Sequence, residues 1–369
     1  MLTKFETDYK AILQKLDQVD PIAYGKTRNY INGAVSYLSP YISRGVLSTQ
    51  QVLLHVLKKG YALDQISSFV KELCWRDYFQ RVAQVKDLQQ EIKQQQTSIT
   101  NHALASSIIK GTTGIEGIDC AIHDLYTCGY MHNHCRMYTA SVACNIAQSH
   151  WLHPAQWMYY HLLDGDWASN ACSWQWVAGA NSQKKYYVNQ ENINRYTYTH
   201  QQHTFLDTSY EALEQLHTPD ILLPTERFDL QLKLPEQTPI HIDSKLPSFL
   251  YNYYNLDPLW HQDEPGNRIL LIEPAFFSTY PISKLCMDFM LALSKNIKNL
   301  QIYIGSFESL VETYQLKEIY YKEHPLNKNY TGQEETRDWI IADISGYYPS
   351  FFAYWKKIEN KLKVTYHDH

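Results

Sequence analysis

The chain has 369 residues, which leaves room for two domains and a large core. Its 33 basic and 38 acidic side chains give a formal net charge of −5, which excludes a global positive field. Any nucleic acid would therefore have to bind a local patch. Seven cysteines without a CxxC pair predict a reduced, cytoplasmic protein with neither a disulfide framework nor a zinc ribbon. We find no signal-peptide core and no apolar run long enough for a bilayer, so we expect no membrane association.

The first half of the chain shows helical periodicity interrupted by polar loops. Apolar residues predict an amphipathic helix within residues 1–20 and a long helix over residues 63–96 whose glutamine-rich end is solvated. Ser48-Thr49 is typical of a helix start, and Gly129 of the end of a helix that begins near residue 118. The hydroxyl-rich loop at residues 36–45 could hold phosphate, although Ser-Pro turns are common in any protein.

Two groups of polar residues in these helices admit more than one interpretation. One helical stripe carries Glu72, Trp75, Arg76 and Phe79, and it is either a solvated face with an aromatic anchor or the lining of a wet cavity. His132 and His134 are two positions apart, which is a poor spacing for a shared metal on a helix. We interpret them as hydrogen-bonding histidines and predict no metal site.

The composition changes after residue 217. Seven of the fourteen prolines fall in residues 218–266, which predicts a linker without regular structure. Buried-strand patterns follow at residues 268–273, 300–305, 318–321 and 339–343, with a helical pattern at 282–293. This alternation predicts a small parallel α/β layer. It contains no Walker loop and no GxGxxG, so it carries no phosphate signature.

Residues 164–176 (DGDWASNACSWQW) contain the densest group of functional side-chain types. Two carboxylates, two carboxamides and three tryptophans fall within this stretch. Buried acids need partners, and a core made only for stability would use aliphatic residues. The stretch is either a capped helix start with an aromatic core, or a pocket for a large planar ligand. Composition alone leaves both interpretations open.

Four blocks in order resemble the flavin domain of the DNA photolyase/cryptochrome family. They are residues 37–45 (YLSPYISRG), 72–79 (ELCWRDYF), 129–137 (GYMHNHCRM) and 164–176. The resemblance covers residues 27–180 and implies a mainly α chain. We expect an all-helical FAD-binding domain at residues 1–217, a Pro-rich linker at 218–266 and a small α/β domain at 267–369. Because the motifs begin near residue 27, we expect the family's N-terminal antenna domain to be missing, and the α/β domain would be its reduced counterpart, without a role in FAD binding.

The resemblance also implies roles for individual residues. FAD would be bound by Ser36, Leu38, Ser39, Arg136, Asp164, Asp166 and Asn170. In this scheme the first three hold the diphosphate, Arg136 and Asp164 form an ion pair beside the isoalloxazine, and Asn170 faces flavin N5. A flipped pyrimidine dimer would be bound by the catalytic set Glu72, Trp75, Asn133, Met137 and Trp176. Trp174 and Trp151 would be the first two members of an electron-transfer chain whose third tryptophan, expected near Ser98, is missing.

The function implied is that of a deoxyribodipyrimidine photolyase, a carbon–carbon lyase. Reduced FAD would donate an electron to a cyclobutane pyrimidine dimer in DNA, in preference to a (6-4) product, and the enzyme would act as a monomer. A lesion must leave the base stack to be repaired, and aromatic faces suit it. His134 replaces a family arginine, which weakens one expected DNA contact. Two alternatives are a cryptochrome-like blue-light photoreceptor without repair activity and a helical scaffold that has lost its flavin.

Overall fold

The structure is a computed structural model that describes residues 4–366. Expectations for residues 1–3 and 367–369 lie outside the described residues. The helices before residue 130 are α1 (Tyr9–Asp17), α2 (Pro21–Thr27), α3 (Ser39–Ser43), α4 (Thr49–Lys58), α5 (Ser67–Val85), α6 (Ser106–Lys110) and α7 (Glu116–Cys128). The later helices are α8 (Asn133–Ser141), α9 (Leu152–His161), α10 (Trp167–Ala178), α11 (Gln190–Thr197), α12 (Tyr210–Glu214), α13 (Pro274–Thr279), α14 (Lys284–Ser294), α15 (Phe307–Tyr314) and α16 (Phe351–Thr365). The strands are β1 (Leu104–Ala105), β2 (Thr225–Glu226), β3 (Ser248–Tyr251), β4 (Asn267–Ile272), β5 (Leu300–Ile304), β6 (Ile319–Lys322) and β7 (Gln333–Glu335).

Several helix ends follow the sequence signals. Ser48 caps α4 in a capping box with Gln51, because each side chain bonds the other's backbone N–H. Gly129 ends α7 in the left-handed conformation at φ 68°. The first helix is shorter than expected, and Pro21 begins α2 because proline fits the first turn of a helix.

The long helix expected over residues 63–96 is wrong at its C-terminal end. Helix α5 ends at Val85, and residues 86–96 form no helix. Gln90, Gln94 and Gln95 are exposed as expected, whereas Gln96 is buried. The buried Gln96 donates to the carbonyl of Ser149 and accepts from the backbone N–H of Trp151. Through these hydrogen bonds, backbone and side-chain groups have partners that they would lack at a fraying helix end.

A five-stranded parallel sheet forms the C-terminal layer, in the order β5-β4-β3-β6-β7. Every residue of β3 and β4 is buried, as is typical of parallel strands covered on both faces. One face packs on α15 through Leu250, Ile269, Phe307 and Leu310. The sheet confirms the predicted parallel α/β layer.

The expectation of a linker without regular structure over residues 218–266 is wrong. Strand β3 lies inside this range and is the central strand of the sheet, with β4 and β6 on its two sides. The sequence did not predict this strand because prolines flank it, and Pro247 comes directly before its first residue. The small α/β layer therefore begins ahead of residue 267.

The fourth strand expected at residues 339–343 is also absent. The run is apolar and Trp339, Ile340 and Ile341 are buried, but the backbone of Ile340 bonds to side chains. Its N–H donates to Asp77 at 2.9 Å, and its carbonyl accepts from the hydroxyl of Tyr366 at 2.7 Å. With both groups satisfied there, the segment has no need of a strand partner. The strand that pairs with β6 at this edge of the sheet is β7 instead.

The described chain divides into two compact units that interleave along the sequence. Among the described residues, unit 1 comprises residues 4, 26–35 and 86–230, and unit 2 comprises residues 5–25, 36–85 and 231–366. These units do not follow the expected domain boundaries, because the segment that carries α3 to α5 groups with the sheet. Among the helices of residues 4–366, none has the length and apolarity needed to cross a membrane.

Candidate functional site

The stretch around Asp164 forms the start of helix α10 in unit 1. Asp166 is its N-cap, and its carboxylate accepts from the N–H groups of Ala168 and Ser169 and from the Ser169 hydroxyl. A Cβ at Gly165 would lie 2.9 Å from the carbonyl oxygen of Leu162, so only glycine fits this turn. The capped-helix interpretation is therefore correct for Asp166.

Arg136 and Asp164 form a hydrogen-bonded ion pair, as the resemblance implies. Nη2 of Arg136 lies 2.9 Å from Oδ2 of Asp164, and the aspartate side chain is only 2% exposed. Nε of Arg136 donates to the carbonyl of Met131, which fixes the guanidinium relative to the start of α8. A buried carboxylate is stable only with such a partner, so the pair is a fixed charged element of the site.

Asn170 is buried on the same helix with its amide group oriented by one hydrogen bond. Its Nδ2 donates to the carbonyl of Ala155 at 2.9 Å. Among residues 4–366 no group donates to its Oδ1, so this oxygen remains an available acceptor. A carboxamide oxygen can accept a hydrogen bond from a protonated ring nitrogen without bringing a charge into the pocket.

The tryptophans of this unit differ sharply in exposure. Trp151 and Trp174, the expected electron carriers, are 0% and 2% exposed. Trp176 lies on the same helix as Trp174 but is 42% exposed, and its ring is 5.5 Å from that of Tyr186. Of the other expected lesion contacts in unit 1, Asn133 is exposed and Met137 is half-buried on α8.

The remaining expected site residues belong to unit 2. The backbone N–H of Leu38 donates to the Ser36 hydroxyl at 3.5 Å, and Ser39 begins α3. Glu72 and Trp75 are half-buried on α5, and Phe351 stacks on the Trp75 indole with 3.9 Å between ring centroids. The expected site is thus divided between the two units, and each part is described within its own unit.

His132 forms a side-chain hydrogen bond, whereas Nδ1 of the His134 ring is buried without a partner among residues 4–366. Burial, with the neighbouring cations, lowers the pKa of each imidazole to about 4, so both are neutral at pH 7. Nδ1 of His132 accepts the backbone N–H of His134. No cluster of three or more potential metal ligands occurs within the described part of the chain.

Sequence patterns gave no signal for two features of unit 2. Asp77 is fully buried and joins α4, α5 and the C-terminal segment, because it accepts from the Thr49 hydroxyl and from Ile340 N–H.

A polar pocket of about 540 Å³, including its open mouth, lies beyond the carboxyl ends of β3 and β6. There Lys322 bonds the buried Asp257 at 2.9 Å. Both features depend on residues far apart in sequence, which a single sequence cannot bring together.

The comparisons with known proteins identify the helical part of the chain. Residues 69–239 match the family model described as the FAD-binding domain of DNA photolyase. This match and the relatives described below support the DNA photolyase/cryptochrome family for this part of the chain. The cofactor of the domain is FAD. The fit is supported by the Arg136–Asp164 pair and by the acceptor oxygen of Asn170, which are the groups that the family resemblance requires of this stretch.

Relatives share this domain with modest identity. A deoxyribodipyrimidine photo-lyase of Streptomyces griseus is 32% identical over 153 residues, which is 40% of this chain and 32% of that protein. The chloroplastic/mitochondrial cryptochrome DASH of Ostreococcus tauri is 28% identical over 184 residues, 47% of this chain and 33% of that protein. A Synechocystis cryptochrome structure has a TM-score of 0.45 at 25% identity, covering 53% of this chain and 44% of that chain. The chain thus spans about a third of the length of these curated photolyase and cryptochrome relatives.

Proposed function

We propose that the chain is a light-driven repair enzyme that splits cyclobutane pyrimidine dimers in DNA. The observation that best supports repair is the exposure of Trp176. It is 42% exposed on a helix whose other tryptophans, Trp167 and Trp174, are each 2% exposed. A base that leaves the duplex needs an accessible aromatic face, and stacking on such a face is sequence-tolerant.

The residues described above have different roles in the proposed reaction. When bound in its reduced form, FAD supplies the light-driven electron transfer. Arg136 and Asp164 hold a fixed pair of charges in the flavin pocket, and Asn170 offers Oδ1 to a protonated ring nitrogen without adding charge.

Trp176 and Trp75 provide aromatic surfaces for the extruded bases, while Glu72, Asn133 and Met137 are proposed to contact the lesion. Ser36, Leu38 and Ser39 are proposed to hold the diphosphate.

The alternative is a flavin photoreceptor without repair activity. The similarity to the cryptochrome DASH of Ostreococcus tauri supports this alternative, whereas the similarity to relatives named deoxyribodipyrimidine photo-lyase supports repair. The two functions differ in their need for accessible indoles, because a sensor has no flipped base to stack. We therefore favour repair.

The test is dimer loss under blue light with chemically reduced protein and DNA containing a cyclobutane thymine dimer. We expect the wild type to remove the dimer, and Trp176→Ala to bind damaged DNA about 1–3 kcal/mol more weakly while it keeps its flavin. Tyr210→Ala is a matched control, since Tyr210 is also an exposed aromatic residue of unit 1, at 45%. If the wild type shows no dimer loss, the photoreceptor alternative replaces repair.

A further inference from the structure

Trp75 stacks at one end of an aromatic column within unit 2, and Phe79 lies 5.2 Å from the same indole at a 37° angle. The column consists of Trp355, Phe351 and Trp75. Phe351 lies 3.9 Å from Trp75 with a 10° angle between ring planes, and 6.2 Å from Trp355 with a 26° angle. Lys71 lies 5.1 Å above the ring of Trp355, at the opposite end from Trp75. Lys71 and Trp75 are one helical turn apart on α5, so this helix contacts both ends of the aromatic pair that α16 provides.

The interior of the column is fixed, and its terminal ring is accessible. Phe351 is 3% exposed and Trp355 is 8% exposed, whereas Trp75 is half-buried. Tyr78 packs edge-on against Phe351 at 6.0 Å, so this ring is held from the side as well. Phe351 stacks on one face of the Trp75 indole, because nearly parallel rings 3.9 Å apart are in van der Waals contact. The indole therefore cannot rotate without losing this contact.

We propose that Phe351 is a positioning residue of the lesion pocket, which backs Trp75 so that its indole is a pre-ordered platform for a flipped pyrimidine. The proposal rests on the proposed function and assigns a role to the C-terminal helix α16 in it. A stacked base would extend the aromatic column by one ring. Holding the indole in place before binding removes the entropy cost of immobilising it at the moment of binding. Phe351 does not touch the lesion and acts through Trp75.

The experiment is a double-mutant cycle on full-length protein, with a duplex carrying one thymine cyclobutane dimer and the same duplex undamaged. Phe351→Leu keeps an apolar side chain but removes the flat ring, and we expect it to bind the damaged duplex about three- to tenfold more weakly. Affinity for the undamaged duplex is expected to stay unchanged. In the Trp75→Ala background, Phe351→Leu should have no further effect, since Phe351 acts only through that indole. Phe352→Ala is the matched control, because its neighbouring ring is 67% exposed on the same helix.

The outcomes separate this inference from the proposed function. If the wild type does not prefer the damaged duplex, both fail. If the wild type shows the preference and Trp75→Ala loses it, while Phe351→Leu binds like the wild type or adds to the effect of Trp75→Ala, only the role of Phe351 is overturned. Thermal unfolding checks that each variant is folded. Should Phe351→Leu not fold, Phe351→Met fills a similar volume and carries the same cycle.

Discussion

Asp164 shows how a single buried charge constrains the flavin pocket. Its side chain is 2% exposed, and Arg136 supplies the cation 2.9 Å away. Removal of one partner leaves the other charge without its counter-ion, which costs most for the buried Asp164 and less for Arg136, whose side chain is 22% exposed. Retention of both residues is therefore difficult to reconcile with a scaffold that has lost its flavin.

Asp164→Ala is expected to lower flavin occupancy well below one FAD per chain and to lower the free energy of unfolding by about 1–3 kcal/mol. The physical reason is that the Arg136 guanidinium loses its carboxylate partner. Flavin absorbance relative to protein, together with thermal unfolding, measures both effects. Asp164→Asn keeps an oxygen acceptor for Arg136 and should lose less. Full occupancy in Asp164→Ala would contradict the flavin assignment of this residue.

Trp151 permits a test that separates photoreduction from repair. It is fully buried, and no tryptophan lies near Ser98 to continue the expected chain. Trp151→Phe is expected to abolish photoreduction of the flavin by an external thiol, because the relay would lose its second member. Repair by chemically reduced protein should persist, since the proposed lesion pocket does not include Trp151. Absorbance during illumination measures the first effect and dimer loss the second. Photoreduction at the wild-type rate in the variant would show that the electron takes another route.

At the scale of elements, helix α5 contacts α4, α16 and the segment after β7 within unit 2. Its Tyr78 donates to the carbonyl of Tyr348 and packs 5.8 Å from the ring of Tyr354 on α16. Its Asp77 receives hydrogen bonds from α4 and from the segment that was expected to be a strand. Burial raises the pKa of Asp77, and Arg337 and the two hydrogen bonds oppose that shift. The segment after β7 is therefore held by a side chain of α5 and not by a sheet.

Asp77→Ala is expected to lower the free energy of unfolding by about 3 kcal/mol, because two buried donors lose their acceptor at a cost of about 1–3 kcal/mol each. The donors are the hydroxyl of Thr49 and the backbone N–H of Ile340. Chemical denaturation measures the loss. Asp64→Ala serves as the control, because Asp64 is exposed just ahead of the same helix. Equal stability of the two variants would show that Asp77 does not hold these elements together.

At the scale of the whole molecule, the interleaving of the two units decides whether the C-terminal part can be removed. The sheet and α16 group with residues 5–25 and 36–85, which include the expected diphosphate loop and Trp75. Within that unit the side chain of Asn296 accepts the N–H of Tyr9, so even the first helix is bonded to the C-terminal layer. The α/β layer is therefore part of one folding unit with α1 and α3 to α5.

A chain truncated after His217 is expected to be insoluble or to lose its flavin. It lacks the sheet and α16, so the buried face of α5 around Cys74 and Tyr78 would be exposed to water. Solubility and flavin content of the purified protein measure the result. A chain that ends at Tyr366 is the control, since it retains every described residue. A soluble, flavin-loaded chain ending at His217 would show that residues 36–85 fold without the α/β layer.

The sequence alone determined the features that depend on local spacing. Four motifs in order identified the flavin domain, helical periodicity and capping residues predicted α4, α7 and α10, and apolar runs predicted three of the five strands of the sheet. The Arg136–Asp164 pair also followed from the motifs. These features can be predicted because each depends on residues within a few turns of one another or on a known motif.

Only the tertiary structure decided the features that depend on distant partners. The end of α5, the central strand β3 among prolines and the irregular backbone at Ile340 each depend on hydrogen bonds or strand pairing across long sequence separations. The orientation of the Asn170 amide and the contact of Phe351 with Trp75 likewise required atoms in space. A local sequence pattern indicates which side chains of a segment can be buried. The groups that form hydrogen bonds with its backbone and pack against its rings depend on the fold as a whole.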